Sequence, residues 1–214
     1  AFLQLGTVLA VLVYFWKEIL NLVKSAIKLS LGRTIDSKDR ILLIAIVAGT
    51  IPAIILGLLL ESKMEGFFRQ GIVVALGLIL GSVLFVVAER VSKRFSGNRE
   101  LTVGKGFVVG LFQSLALIPG MSRSGSTISG SLIMGLTRTE AAKFSFLLSF
   151  PIIAGSGLLK LKDLIYADVF GHIGGQLLLG FALSFVFGVL AINFLIRYIS
   201  SHSLMAFVWY RLVL

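Results

Sequence analysis

A chain of 214 residues that is 57% hydrophobic and 14% charged, with a mean hydropathy of +1.00, falls outside the soluble globular class, where about a quarter of residues are charged. The formal charge of +10 does not point to nucleic acid, because the basic residues stand between apolar spans, where membrane topology and anionic lipid account for them. Cysteine is absent, which removes disulfides and thiolate metal sites, and the alternating strands of about ten residues that mark a membrane barrel are not seen.

The expected class is therefore all-α: a polytopic membrane helix bundle over residues 1–214, with about six transmembrane helices, the last truncated. The first span is Phe2–Trp16, prolonged by an amphipathic tail with Lys17, Lys24 and Lys28. No charged segment precedes it, so it does not read as a signal peptide. The chain opens at Ala1 inside one apolar run and closes inside another, Leu204–Leu214, and both ends are expected to be cut. A polar loop, Gly32–Arg40, leads to the second span, Ile41–Leu60, where Pro52 predicts a kink. A connection with Glu61, Lys63, Glu65 and Arg69 leads to the third, Gly71–Ala88. The loop that follows carries Arg90, Lys93, Arg94, Arg99 and Lys105. This loop and the first, with Lys24, Lys28, Arg33, Lys38 and Arg40, are the basic ones, and the positive-inside rule puts both in the cytoplasm.

The next stretch is too short to cross. Gly106–Ile118 makes about 20 Å of helix and Ile128–Leu136 less, against a hydrocarbon core of about 30 Å. Pro119 lacks a backbone donor and Gly120 loosens the chain, so the two pieces are predicted to meet at a polar turn as a re-entrant hairpin, approximately residues 106–137. The alternative is one continuous kinked helix with a snorkelling arginine. Thr137-Arg138-Thr139-Glu140 reads as a capping box that starts the next span, which contains Pro151 and ends near Leu159. A polar segment, Lys160–Gly175, precedes the span Gln176–Ile196, and Trp209 and Tyr210 in the final helix suit an interfacial belt. His172 and His202 read as interfacial loop residues. A faint echo links Thr50-Ile51-Pro52-Ala53-Ile54 with Ser149-Phe150-Pro151-Ile152-Ile153, an indication of internal repetition.

The turn carries the chemistry. An arginine at membrane depth costs roughly 2.5–3.5 kcal/mol on insertion scales, which makes Arg123 a functional-site candidate. Its planar fork suits two phosphate oxygens. Ser122, Ser124, Ser126 and Thr127 supply hydroxyls, Gly120 and Gly125 permit close backbone approach, and a helix starting near Thr127 would aim its free amides at an anion. Taken singly, Ser122, Ser126 and Ser129 also suit close helix packing. The glycine spacing matches neither a Walker loop nor a dinucleotide fingerprint.

The string Gln113-Ser114-Leu115-Ala116-Leu117-Ile118-Pro119-Gly120-Met121-Ser122-Arg123-Ser124-Gly125-Ser126-Thr127 resembles the Pro-Gly-x-Ser-Arg-Ser-x-x-Thr motif of undecaprenyl-diphosphate phosphatases, the bacitracin-resistance family. Arg138, Ala141–Ser149 and Pro151 resemble the helix that follows it, and the likeness extends over essentially the whole chain. The resemblance implies a multi-pass enzyme of the bacterial inner membrane with six transmembrane helices and two re-entrant hairpins. It would remove the terminal phosphate of undecaprenyl diphosphate and recycle the lipid carrier of cell-wall synthesis. It implies that Arg123 binds the diphosphate, that Ser122 joins it as a catalytic residue, and that Gly120, Ser124, Ser126 and Thr127 contact substrate.

The family's second motif, paired glutamates and a downstream histidine, has no counterpart here. Glu18 lies at the wrong place and takes no role. No metal ligands are therefore assigned in this chain; a divalent cation, Mg²⁺ or Ca²⁺, is expected from the absent acidic motif, and the chain alone is expected to hold half an active site. The attacking group is Ser122 or a water. The expected partners are the polyprenyl diphosphate, membrane lipids and a second copy as a homodimer. The alternative function is a transporter or lipid flippase, since hairpins meeting at mid-membrane also occur there.

Overall fold

The computed structural model describes residues 2–64, 70–94, 100–166 and 170–214. Glu65, Arg69 and Arg99 of the predicted connections lie outside these, as do the side chains of Glu61, Lys63 and His172. The described residues are helical with no strand: α1 Phe2–Tyr14, α2 Trp16–Ser30, α3 Ser37–Met64, α4 Gly71–Arg94, α5 Val103–Ser114, α6 Arg123–Ile133, α7 Arg138–Tyr166, α8 Phe170–Ser201 and α9 Met205–Val213. Among them α3, α4, α7 and α8 are long and apolar enough to cross a membrane, and the bent pair α1–α2 makes at most a fifth. The final predicted span is α9, nine residues long.

The first predicted span is corrected. The helix stops at Tyr14, and the chain turns by 84° at Phe15 into α2. Phe15 is buried beside Ala45, Val109, Leu148 and Ile192, so the corner itself is packed into the core. Along α2 the exposed apolar side chains of Trp16, Leu20, Val23 and Ile27 share one helical face, with Lys17, Lys24 and Lys28 beside them. An apolar stripe flanked by lysines is the mark of a helix lying in the membrane plane. Glu18 pairs with Lys143 at 3.0 Å, and Ser25 donates to Asp39 at 3.4 Å, tying α2 to the beginnings of α7 and α3.

The polar segment Lys160–Gly175 is also corrected: α7 continues through Tyr166 and α8 starts at Phe170. Pro52 and Pro151 both sit inside long helices. The capping box forms as read. Glu140 N–H donates to Thr137 Oγ1 at 3.3 Å, and Thr137 N–H donates to the Glu140 carboxylate at 3.2 Å.

Helices meet where side chains are small. Ala45 and Gly49 of α3 lie against Gly106 and Gly110 of α5, so closely that a Cβ on Gly106 would stand 2.6 Å from that of Ala45. Gly6 and Ala10 of α1 face Ser184 and Gly188 of α8 in the same manner. Such close approach replaces the hydrophobic driving force that lipid does not supply. It also leaves α5 and α6 enclosed by α3, α4 and α7.

Candidate functional site

The hairpin is built by a sequence of local stops. Thr102 caps α5, its side chain accepting from the Lys105 amide at 3.2 Å. The helix tightens through a 3-10 turn at Leu115–Leu117, then reaches Pro119, which has no amide to continue it. Gly120 takes φ +92°, and the Met121 amide closes the turn on the Ile118 carbonyl at 3.2 Å. The chain then runs back antiparallel, with Gly130 of α6 against the ring of Phe112 of α5. At 12 and 11 residues, about 18 and 16 Å, neither arm spans a bilayer core.

The second helix begins earlier than expected. Ser122, not a residue near Thr127, is the N-cap, and α6 starts at Arg123. The Ser122 Oγ accepts from the Gly125 amide at 3.2 Å, which satisfies one of the free donors of the first turn. Ser122 is the one non-glycine with positive φ among the described residues, at +68°. A residue held in that sparsely populated region costs about 1–3 kcal/mol and commonly marks a working site.

The early start distributes the motif around α6. Arg123 is half-buried and lines a cavity of about 340 Å³ with Ser124, Thr7 of α1, Phe146, Ser149 and Ile153 of α7, and Ile192 of α8. No ion pair or hydrogen bond engages its guanidinium among the described residues. Ser122 is exposed and lines a second cavity of about 510 Å³, with Gly120, Ser124, Gly125 and Arg211 at its polar end. Leu78 and Phe85 of α4, Ile128, Leu195 and Ile199 of α8, and Phe207 and Tyr210 of α9 make its apolar wall. Ser124 borders both cavities.

Two of the expected substrate contacts turn inward instead. Thr127 is fully buried, donates to the Arg123 carbonyl at 3.0 Å, and meets the Ser145 hydroxyl of α7 in a short hydrogen bond. Ser126 is fully buried with no hydrogen-bond partner among the described residues. Neither lines the two cavities described. Thr127 ties α6 to α7, and Ser126 lies inside the packed part of the helix. The cause is the helix start: with Arg123 as the first residue, Ser126 and Thr127 belong to the packed second turn.

Several residues of the neighbourhood escaped the sequence reading. Arg211 is buried on α9 and reaches the Gly120 and Met121 carbonyls of the turn and the Gly77 carbonyl of α4. Glu89 is 4% exposed and forms a bidentate pair with Arg138 at 2.6 and 2.7 Å, while also accepting from the Leu204 amide at 2.7 Å. A charged residue in an apolar run was the available signal for both, the same signal that marks Arg123. His202 stacks on Tyr198, with ring centroids 4.6 Å apart. Among the described residues no three His, Asp or Glu side chains come together to hold a metal ion, so the donor set needed by Mg²⁺ or Ca²⁺ is not met here.

The sequence profile described as bacitracin resistance protein BacA matches residues 1–214. A relative from Trichodesmium erythraeum named undecaprenyl-diphosphatase is 39% identical over 217 residues, covering 99% of this chain and 69% of its own length. Proteins of the same name from Renibacterium salmoninarum and Micrococcus luteus are 41% and 42% identical, covering 99% and 100% of this chain and 77% and 78% of their own.

Proposed function

The chain belongs to the bacitracin resistance protein BacA family, and from that premise we propose that it is the hydrolase its relatives are named for: a membrane phosphatase converting undecaprenyl diphosphate to undecaprenyl phosphate and inorganic phosphate. The observation that carries this reading to particular residues is Arg123, a half-buried guanidinium with no counter-ion among the described residues, opening into a cavity at the start of α6. A cation so placed needs an anion, and a diphosphate head group on an apolar tail is an anion that reaches it from within the membrane.

The chemistry asked of the site is modest. Phosphoryl transfer is mostly positioning and stabilisation of charge on the equatorial oxygens. Arg123 takes two of those oxygens and draws the terminal phosphorus toward the first turn of α6, whose unpaired amides and positive dipole end add to the field. The attacking oxygen is that of Ser122 or of a water beside it. It bonds to the terminal phosphorus as its proton passes to a phosphate oxygen, the bridging P–O bond breaks, and undecaprenyl phosphate leaves with the electron pair. With Ser122 as nucleophile a phosphoserine forms and water then releases phosphate; with water, phosphate leaves directly. The Ser122 Oγ already accepts one amide hydrogen, which supports its being fixed in place. Labelled phosphate trapped on the protein distinguishes the routes.

A divalent cation remains part of the proposal as a group bound outside the described residues, and no step above runs through it. The bacterial inner membrane is the proposed setting, with loops one and three cytoplasmic, and a homodimer is the proposed assembly. The flippase alternative is not favoured by the family. The deciding experiment is phosphate release from undecaprenyl diphosphate by the intact protein in detergent, where vectorial transport is impossible. Release that disappears with Arg123→Ala supports the proposal; none from the unaltered protein with Mg²⁺ or Ca²⁺ overturns it.

A further inference from the structure

Arg211 is 7% exposed and has no carboxylate partner among the described residues. A bare guanidinium in such a place is costly unless its donors are met. Its two Nη groups are met by the hairpin turn and by the helix beneath it, while Nε has no partner among the described residues. Nη1 donates to the Met121 carbonyl at 3.2 Å, and Nη2 donates to the Gly77 carbonyl at 3.2 Å and, in a short bond, to the Gly120 carbonyl. The guanidinium lies over the Phe85 ring, 5.0 Å from its centre, where the ring face attracts a cation.

The seat is prepared on α4 at a spacing of four residues. A Cβ on Gly77 would run into the Pro119 carbonyl, and one on Gly81 would stand 2.8 Å from the Arg211 Cζ. The Phe85 ring fills the space beside Gly125 in the first turn of α6. One face of α4 thus receives, in order, the Pro119-Gly120 turn, the Arg211 guanidinium and the start of α6. Removing the guanidinium frees three carbonyls at the point where Ser122 takes its left-handed conformation.

We infer that Arg211 is a positioning residue: from α9 it latches the hairpin turn onto α4, and so sets where Ser122 and Arg123 meet the phosphate. This rests on the functional reading above. The test compares Arg211→Lys, Arg211→Met and Gly81→Ala in the intact protein, alone and with Arg211→Met and Gly81→Ala combined. Hydrolysis kinetics and amide hydrogen exchange across Gly120–Ser126 are both measured. Arg211→Met is expected to lower kcat on the order of a hundredfold, the cost of misplacing a reacting group by about 1 Å, with KM within about twofold. Arg211→Lys should recover part of that rate, since an ammonium still reaches some of the carbonyls. Gly81→Ala puts a methyl where the guanidinium lies and should match Arg211→Met, and the combined variant should be no worse than either.

Exchange at the turn should rise in all three of these slow variants. Equal rates for Arg211→Lys and Arg211→Met, additive losses in the combined variant, or unchanged exchange at the turn would overturn the assignment. A raised KM with intact kcat would instead make Arg211 a ligand of the head group, which also overturns it. If the unaltered protein hydrolyses nothing, the functional reading falls, and the exchange measurement still decides the latch.

Discussion

At the scale of single residues, the motif separates into side chains that face a cavity and side chains that hold α6. Arg123 belongs to the first group. Arg123→Ala should lower kcat/KM by about 10²–10³, the usual loss when one preorganised charge-stabilising donor is removed. Arg123→Lys should restore little of it, because a point charge does not replace a planar fork. Thr127 belongs to the second. Its hydroxyl joins the Arg123 carbonyl to Ser145. Thr127→Val should cost about 1–2 kcal/mol in a thermal or denaturant melt, leaving a buried serine short of a partner. Its effect on rate should be much smaller than that of Arg123→Ala. The sequence showed which residues gather at the turn but not which way they point. The direction depends on where α6 begins, and that was decided by Ser122 accepting left-handed backbone to act as a cap, a conformation serine seldom adopts.

Among elements, the long apolar helices and the hairpin were legible because length and punctuation are local: Pro119-Gly120 breaks a run, and the Thr137–Glu140 box starts another. The right angle between α1 and α2 was not. Nothing at Phe15 is a breaker; the bend comes from burying that ring among residues distant in sequence, a tertiary cause. The seating of the hairpin was hidden for a similar reason, since Gly77 and Gly81 read as ordinary glycines of a membrane helix until the turn is placed on them. Gly77→Ala should destabilise the folded protein by about 2–3 kcal/mol or force the turn off α4, because the new methyl meets a backbone carbonyl that has little room to yield. A melt together with exchange at Gly120 checks this.

At the scale of the whole molecule, one cluster of polar contacts among the described residues joins several helices at once. Glu89 and Arg138 join α4, α7 and the α8–α9 connection, since Arg138 also donates to the His202 carbonyl at 3.2 Å. Glu89→Gln should lower stability by about 3 kcal/mol, measured by thermal unfolding in detergent, because it leaves Arg138 without its counter-charge. Adding Arg138→Met should recover part of the loss. The proposed divalent cation acts at this scale as well: a chelator should stop phosphate release and Mg²⁺ or Ca²⁺ restore it. A polypeptide is threaded into the bilayer from its amino end, and Arg211 trails Met121 by 90 residues. On the inferred latch, the hairpin should stay loose until α9 has been made. Synthesis of α9 then becomes a checkpoint in biogenesis, at which chains stopped short of it should be inactive.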